Sequence, residues 1–378
     1  MKLWLGNTLL LFCFCLNAHA SILRLKPNQM RIDVGGGAIE NYSNIPLVSV
    51  TICQPGTDNC QTVNRIELDT GSVGLRLFSS LTKKLHLPAI KGPANQNIFE
   101  CTSYGGGDSY WGPIRRADVK LGQLVASNVR IQTWQNVPNG VSCPIMAAQP
   151  EAGQINGILG VSFAHDDCAD VGTDKNCGEN AAFHYYKCIG SRCSPLNNAT
   201  SLAVSNPVLG LPHDNNGYVI DFPAVPAPRN SIVGTIAFGL NSRKDNELGP
   251  AAAHELPVPA NGWFHLKYHG QIYPSRFDTG ADTYDFPAKF GIPMCDYLCP
   301  DQPTTIHLSV LTGDKINPFN IEITSPEEIL NDSNVQVVPD MANLLLGSPF
   351  LMGMPFFYGK RVFFGLDRGA NSPGFVAF

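Results

Sequence analysis

Two stretches of this sequence carry an aspartate out of an extended, apolar run into a tight Thr-Gly turn. The first is Ile66-Glu-Leu-Asp69-Thr70-Gly71-Ser72-Val-Gly-Leu75, and the second, in the other half of the chain, is Ser275-Arg-Phe277-Asp278-Thr279-Gly280-Ala281-Asp-Thr283-Tyr284. Two carboxylates brought within hydrogen-bonding distance cannot both ionise, so the pair shares one proton; one member is then a base and the other an acid. Amide hydrolysis needs those two groups: a carboxylate to take a proton from water, and a neutral carboxyl to donate a hydrogen bond to the scissile carbonyl. The titration of such a dyad belongs to the pair. Gly71 and Gly280 leave out a side chain where each turn must approach its twin, and the hydroxyls of Thr70 and Thr279 can brace one loop against the other. A single Asp-Thr-Gly is an ordinary turn tripeptide. Two copies, each after a strand-like run, are read here as one dyad.

The flanking sequence supplies elements that would position the pair. Residues 45–52 and 63–68 read as a strand hairpin leading into Asp69, 75–78 continue in strand, and 79–87 suggest a short helix. Phe99-Glu-Cys101-Thr-Ser-Tyr104-Gly-Gly-Gly-Asp108-Ser-Tyr110-Trp111-Gly112 lies between two strand-like arms, so its glycines mark a mobile hairpin tip able to close over a bound peptide. Without a dyad it would be an ordinary exposed hairpin. Ile158-Leu159-Gly160 after the first turn and Leu344-Leu-Leu346-Gly347 after the second give each half the same layout, an internal duplication. The Phe-rich last forty or so residues read as buried strands.

Charged residues make up only 15% of the 378-residue chain, against roughly 25% in an average domain. Abundant Gly and Pro point to a turn-rich β protein, and a net charge of -5 gives no reason to expect nucleic acid or an anionic membrane as partner. Met1-Lys2, an apolar run to Leu16 and Ala18-His19-Ala20 read as a signal peptide cleaved near Ala20, so we expect a soluble protein, secreted or periplasmic. Removing Cys13 and Cys15 with that signal leaves an even number of cysteines for an oxidising compartment. Sequence neighbours suggest Cys53 with Cys60, Cys168 with Cys177, Cys188 with Cys193 and Cys295 with Cys299, leaving Cys101 and Cys143. His165, Cys168, Cys177, His184, Cys188 and Cys193 lack the paired short spacing of zinc ligands, and no metal is expected. The expected division is 1–20 signal peptide, 21–44 a short basic leader with Arg24, Lys26 and Arg31, 45–221 one lobe and 222–378 the other. Other signatures fail: Gly160-Val-Ser162-Phe-Ala164 lacks the last glycine of a serine-hydrolase elbow, and His254-Glu255 has Val258 where a zinc protease helix needs a histidine.

Both Asp-Thr-Gly turns, Tyr104-Gly, Asn156-Gly-Ile-Leu-Gly160, Gly234-Thr-Ile-Ala-Phe-Gly239 and the closing Phe364-Gly-Leu-Asp367 together resemble the pepsin-like aspartic proteases over most of the mature chain. In its Cys-rich insertions the sequence also looks like an uncharacterised family of exported bacterial proteins. The resemblance implies a mostly β, bilobal double barrel or sandwich with a cleft between lobes. It implies an aspartic endopeptidase acting on polypeptide without cofactor, and we expect a monomer. Asp69 and Asp278 match the catalytic pair, Thr70 and Thr279 the residues that lock the turns, and Ser72 the hydroxyl supporting the first carboxylate. Tyr104 is the first choice for the flap tyrosine, with Tyr110 as rival. Three positions depart from the pattern. Ala281 lacks the hydroxyl of its counterpart Ser72, which together with Asp282 should raise the dyad's pKa values. Arg76 stands where pepsin has the Trp that anchors the flap tyrosine, a part Trp111 could take. The segment before the first strand is shorter than a pepsin prosegment. The competing expectation from the same residues is a pepsin-like scaffold that binds peptide or protein without cutting it.

Overall fold

Alternating side chains drive much of this chain into strands, which make up 46% of the structure beside few helices. The computed structural model describes residues 24–378 apart from 40–41, 106, 108, 144–146, 171–182, 197–198, 200, 260, 289, 313–314, 328, 333, 348 and 367–373; the expected signal peptide lies outside the described residues. The first repeat runs β1 (Gln29–Gly35), β2 (Pro46–Cys53), β3 (Cys60–Asp69), β4 (Val73–Phe78), β5 (Asn97–Ser103), β6 (Ser109–Leu121), β7 (Leu124–Trp134) and β8 (Gly157–Val161). β2, β3, β8, β4, β7 and β6 pair in that order and β6 returns to β2, closing a six-stranded barrel. Ile66, Leu68, Leu75, Leu77, Val119, Ile131 and Leu159 are buried in the core. The helix expected over 79–87 is a single 3-10 turn, Ser79–Thr82.

Next come a four-residue helix α1 (Asp167–Asp170), then β9 (Phe183–Ile189), β10 (Arg192–Pro195), β11 (Gly217–Asp221), β12 (Ser231–Phe238) and β13 (Leu256–Val258). The second repeat is β14 (Phe264–Tyr268), β15 (Gln271–Phe277), β16 (Tyr284–Phe286), β17 (Thr304–Thr312), β18 (Lys315–Ile323), β19 (Ala342–Leu344) and β20 (Phe350–Met352). Helix α2 (Met354–Phe357), β21 (Arg361–Gly365) and β22 (Gly374–Ala377) end the chain, so Phe356 and Phe357 are buried in a helical turn where strand was expected.

The duplication is visible in the pairing. β8 lies parallel to β3 and antiparallel to β4; β20 lies parallel to β15 and antiparallel to β16. β7 is parallel to β4 as β19 is parallel to β16. In the first repeat β7 also pairs with β6, which closes the ring. In the second, β18 pairs with β17 while the short β19 covers the other edge, leaving a half-barrel of seven strands. The counterpart of Ile158-Leu159-Gly160 is therefore Leu351-Met352-Gly353, and the expected Leu344–Gly347 match is corrected: Leu345 and Leu346 are 40% and 66% exposed. A Cβ on Gly160 would lie 2.7 Å from Val73 N, and one on Gly353 would lie 2.0 Å from Thr283 O, so each glycine lets its strand press against the turn beside it.

Strands from both ends of the chain form a platform, β1, β12, β11, β21, β22 and β13, continuous with the barrel. Residues 29–35, set apart in the sequence as leader, belong to it: Met30, Ile32 and Val34 are buried and β1 pairs along its length with β12. Arg31 occupies the exposed face, 2.7 Å from Asp33. Disulfides join Cys53 to Cys60, Cys101 to Cys143, Cys188 to Cys193 and Cys295 to Cys299. Cys168 is disulfide-bonded too, but Cys177, its expected partner, lies outside the described residues. No helix among the described residues is long and apolar enough to cross a membrane.

Candidate active site

β3 ends on Asp69 and β15 ends one residue before Asp278, so the two strands of equivalent topology each aim one carboxylate at the seam between the repeats. The turns are locked together at their threonines. Thr70 Oγ1 accepts the Thr279 amide at 3.0 Å and donates to Phe277 O at 2.9 Å; Thr279 Oγ1 accepts the Thr70 amide at 3.0 Å and donates to Leu68 O at 2.6 Å. Both threonines are buried. Thr70→Val orphans the Thr279 amide and the Phe277 carbonyl in the interior, and an unsatisfied buried group costs about 1–3 kcal/mol. Denaturant unfolding of Thr70→Val should show a loss of about that size or more, and Thr70→Ser, which keeps the hydroxyl, a smaller one.

The glycines do what their position in the turns suggests. A Cβ on Gly71 would sit 2.2 Å from Asp278 Oδ2, and one on Gly280 would sit 2.9 Å from Asp69 Oδ1; each turn abuts the opposite carboxylate. Asp69 accepts the Gly71 amide at 2.6 Å and the Ser72 hydroxyl, whereas Asp278 accepts the Gly280 amide at 2.9 Å. A single point, the place a Cβ on Gly280 would take, lies 2.9 Å from Asp69 Oδ1 and 3.2 Å from Asp278 Oδ1, so the two carboxyls are close neighbours. Burial, then the charge of Asp69, holds the Asp278 carboxyl well above the ordinary range, and Arg276 only partly offsets this.

A cavity of about 400 Å³ opens above the dyad. The β5–β6 hairpin roofs it: Thr102 faces Tyr110 and Ser103 faces Ser109 across the ladder, and the Gly107 amide closes the tip on Tyr104 O at 3.0 Å. Tyr104 and Tyr110 both line the cavity, Tyr104 edge-on to Tyr110 at 6.1 Å. Tyr110 stacks on Trp134 at 3.8 Å, and Trp134 Nε1 donates to Gln132 at 3.0 Å. Trp111 is not part of the site. Neighbouring strand residues point to opposite faces, so Trp111 stacks on Phe99 at 5.2 Å beside the Cys101–Cys143 disulfide, behind the hairpin. Trp134, which carries no spacing signal relative to either turn, supports the tyrosines instead. Ala281 lies on the cavity wall with Asp282 and Asp285.

Burial raises both Asp282 and Asp285 from 3.8 to about 6, although Thr283 Oγ1 donates to Asp285 at 2.5 Å. A carboxyl with a raised folded-state pKa holds its proton more tightly folded than unfolded, so stability falls as pH rises through that interval. Thermal midpoints should decline between pH 4 and pH 6.5, and Asp285→Asn should flatten the decline.

Arg76 does not reach the cleft either. It leaves β4 on the face opposite Leu75 and Leu77 and is fully buried, its Nη2 3.0 Å from Glu100 Oε1 and 2.5 Å from Asp167 Oδ2. Tyr185 OH donates to Asp167 at 2.8 Å and accepts the Val204 amide at 2.9 Å. Burial alone would lower the Arg76 pKa, but Glu100 and Asp167 hold it above its ordinary value. Burial, then Glu100, pushes Asp167 well up. The network ties β4, the strand leaving the Asp69 turn, to β5 of the roof.

The family model described as Protein of unknown function (DUF3443) matches residues 25–378, and the chain belongs to that family. No curated protein matches it.

Proposed function

We propose that this member of a family of unknown function is an aspartic endopeptidase of pepsin-like build. The observation that carries the reading is the close approach of Asp69 and Asp278, each set against the opposite Asp-Thr-Gly turn and delivered by equivalent strands of two repeats to the floor of a roofed cleft. Asp69, which accepts the Gly71 amide and the Ser72 hydroxyl, takes a proton from water. Asp278, kept neutral by burial, donates to the peptide carbonyl as the water oxygen attacks it. The proton gained by Asp69 then passes to the leaving nitrogen, the C–N bond breaks, and one hydroxyl of the tetrahedral carbon returns its proton to Asp278 as the carboxyl product forms. Tyr104 and Tyr110 close over the substrate and exclude bulk water. The non-cutting alternative drew on Arg76 and Ala281; Arg76 is spent on Glu100 and Asp167, which removes it as an obstacle in the cleft.

The test is hydrolysis of denatured casein and of a peptide library by the purified protein across pH 2 to 8. The acid must stay protonated for activity, so a raised Asp278 pKa extends activity into the mildly acidic to neutral range, and activity is lost as pH rises through it. A profile peaking near pH 2 would contradict this. Ala281→Ser supplies a hydroxyl where Ser72 serves Asp69; a hydrogen bond to the charged form lowers a carboxyl pKa. The alkaline limb of the Ala281→Ser profile should shift to lower pH.

A further inference from the structure

A cavity of about 470 Å³ opens at one end of the six-stranded barrel and shares no lining residue with the one over the dyad. Arg115 enters it from β6 and Thr133 from β7. Arg115 lies directly across the ladder from Ile131 and shares a strand face with Ala117, as Thr133 does with Ile131. Ala117 and Ile131 are buried in the barrel core, so both polar side chains point into the barrel where its apolar packing stops. Residues 79–87 cross that end: Lys83 and His86 are exposed at the mouth, and Leu85 and Leu87 are buried in the wall.

The charge around this cavity is of one sign. Lys83, His86 and Arg115 line it, none of the three paired with a carboxylate among the described residues, and its described lining includes no aspartate or glutamate. A chain with a net charge of -5 does not owe such a spot to a generally basic surface. Arg115 Nη1 donates to Leu87 O at 2.9 Å, its one side-chain hydrogen bond among the described residues, which pins the guanidinium and leaves its other nitrogens unspent. Burial lowers the Arg115 pKa from its ordinary value, an effect that a bound anion would oppose. Thr133 supplies a second, independent sign of a ligand: the residue is 1% exposed and its Oγ1 has no hydrogen-bond partner. Buried polar groups are as a rule satisfied, and one that is not calls for an explanation.

A fixed guanidinium recognises carboxylate and phosphate oxygens through charge-assisted hydrogen bonds. The cavity is larger than a bare ion needs and lies within the range of about 300–1,000 Å³ typical of small-molecule sites. We propose that it binds a small organic oxyanion, a carboxylate or a phosphate ester. Arg115 and the Thr133 hydroxyl hold the anionic group, Lys83 and His86 add charge at the mouth, and Leu85 and Leu87 pack against the body. Nothing in this site depends on the dyad.

Calorimetric titration with glucose 6-phosphate, glucuronate and glucose tests it, since the three share one sugar body and differ in charge. At least one of the two anions should bind and glucose should not, and added sodium chloride should weaken the binding. Arg115→Gln should weaken it about tenfold or more, the loss expected for charge-assisted hydrogen bonds. Thr133→Val, of the same shape, should weaken it about threefold or more, yet leave the ligand-free melting temperature unchanged or raised, because the hydroxyl has no bond to lose. Affinity is read per folded molecule from the titration stoichiometry, so partial unfolding of Arg115→Gln does not imitate a weaker site. Binding of glucose 6-phosphate alone assigns the site to phosphate esters, and binding of glucuronate alone to carboxylates; either supports the proposal. Glucose binding as tightly as the anions, anion binding unchanged in both variants, or no binding of either anion at about 10 mM overturns it.

Discussion

Asp278→Asn is expected to lower kcat for peptide hydrolysis by about 10³-fold or more while leaving the protein at least as stable as the parent at neutral pH. The first half follows from proton bookkeeping: general acid-base catalysis contributes about 10²–10⁴-fold, and an amide of the same shape can donate a hydrogen bond but cannot cycle a proton. The second half follows from the raised pKa of Asp278. A carboxyl whose folded-state pKa is raised stabilises most when protonated, and that contribution is lost as pH climbs through the folded value. Asparagine removes the ionisation and the repulsion from Asp69 with it. Asp69→Asn should be as inactive, although there the Gly71 amide and Ser72 hydroxyl lose a charged acceptor. Activity assays paired with thermal melts at pH 7 separate this from mere unfolding. Retention of more than a tenth of wild-type kcat in both variants would end the dyad account.

The residues that make the dyad were legible because their signal is local. Asp-Thr-Gly packs carboxylate, bracing hydroxyl and bare backbone into three positions, and the grip between Thr70 and Thr279 needs nothing further. The disulfides Cys53–Cys60, Cys188–Cys193 and Cys295–Cys299 were likewise legible, each closing a short loop. Leu351-Met352-Gly353 was missed because an apolar pair before glycine recurs in the chain, and only the parallel pairing of Phe277 with Met352 says which copy faces the turn. Trp111 was placed in the roof because a sequence does not reveal which face of a hairpin a residue takes until the tip is fixed; the turn from Tyr104 to Gly107 sends Tyr110 inward and Trp111 outward. Arg76 was conspicuous, but its partners are 24 and 91 residues away, and no spacing rule joins them.

Those distant partners make Arg76→Met the substitution with the largest expected structural effect. The side chain fits the space, yet Glu100 and Asp167, both fully buried, lose the cation between them. Removing one partner of a buried ion pair costs about 3–5 kcal/mol, because the charge left behind is neither solvated nor paired. The sign of the pH dependence is fixed by Asp167, already pushed up by burial and by Glu100. Without Arg76, protonation is the remaining way to keep the carboxyls buried, so the loss should be smaller at pH 4.5 than at pH 7.5. Adding Asp167→Asn to Arg76→Met should recover part of the loss at pH 7.5, since one of the stranded charges is gone. The damage should reach the cleft as well, because Glu100 is on β5 and the tip of that hairpin carries Tyr104. In the fraction that folds, KM should rise more than kcat falls, as expected for a roof that no longer seats on the substrate while the dyad below it is intact. A loss below about 1 kcal/mol at pH 7.5 would mean that the buried charges are compensated by something other than Arg76.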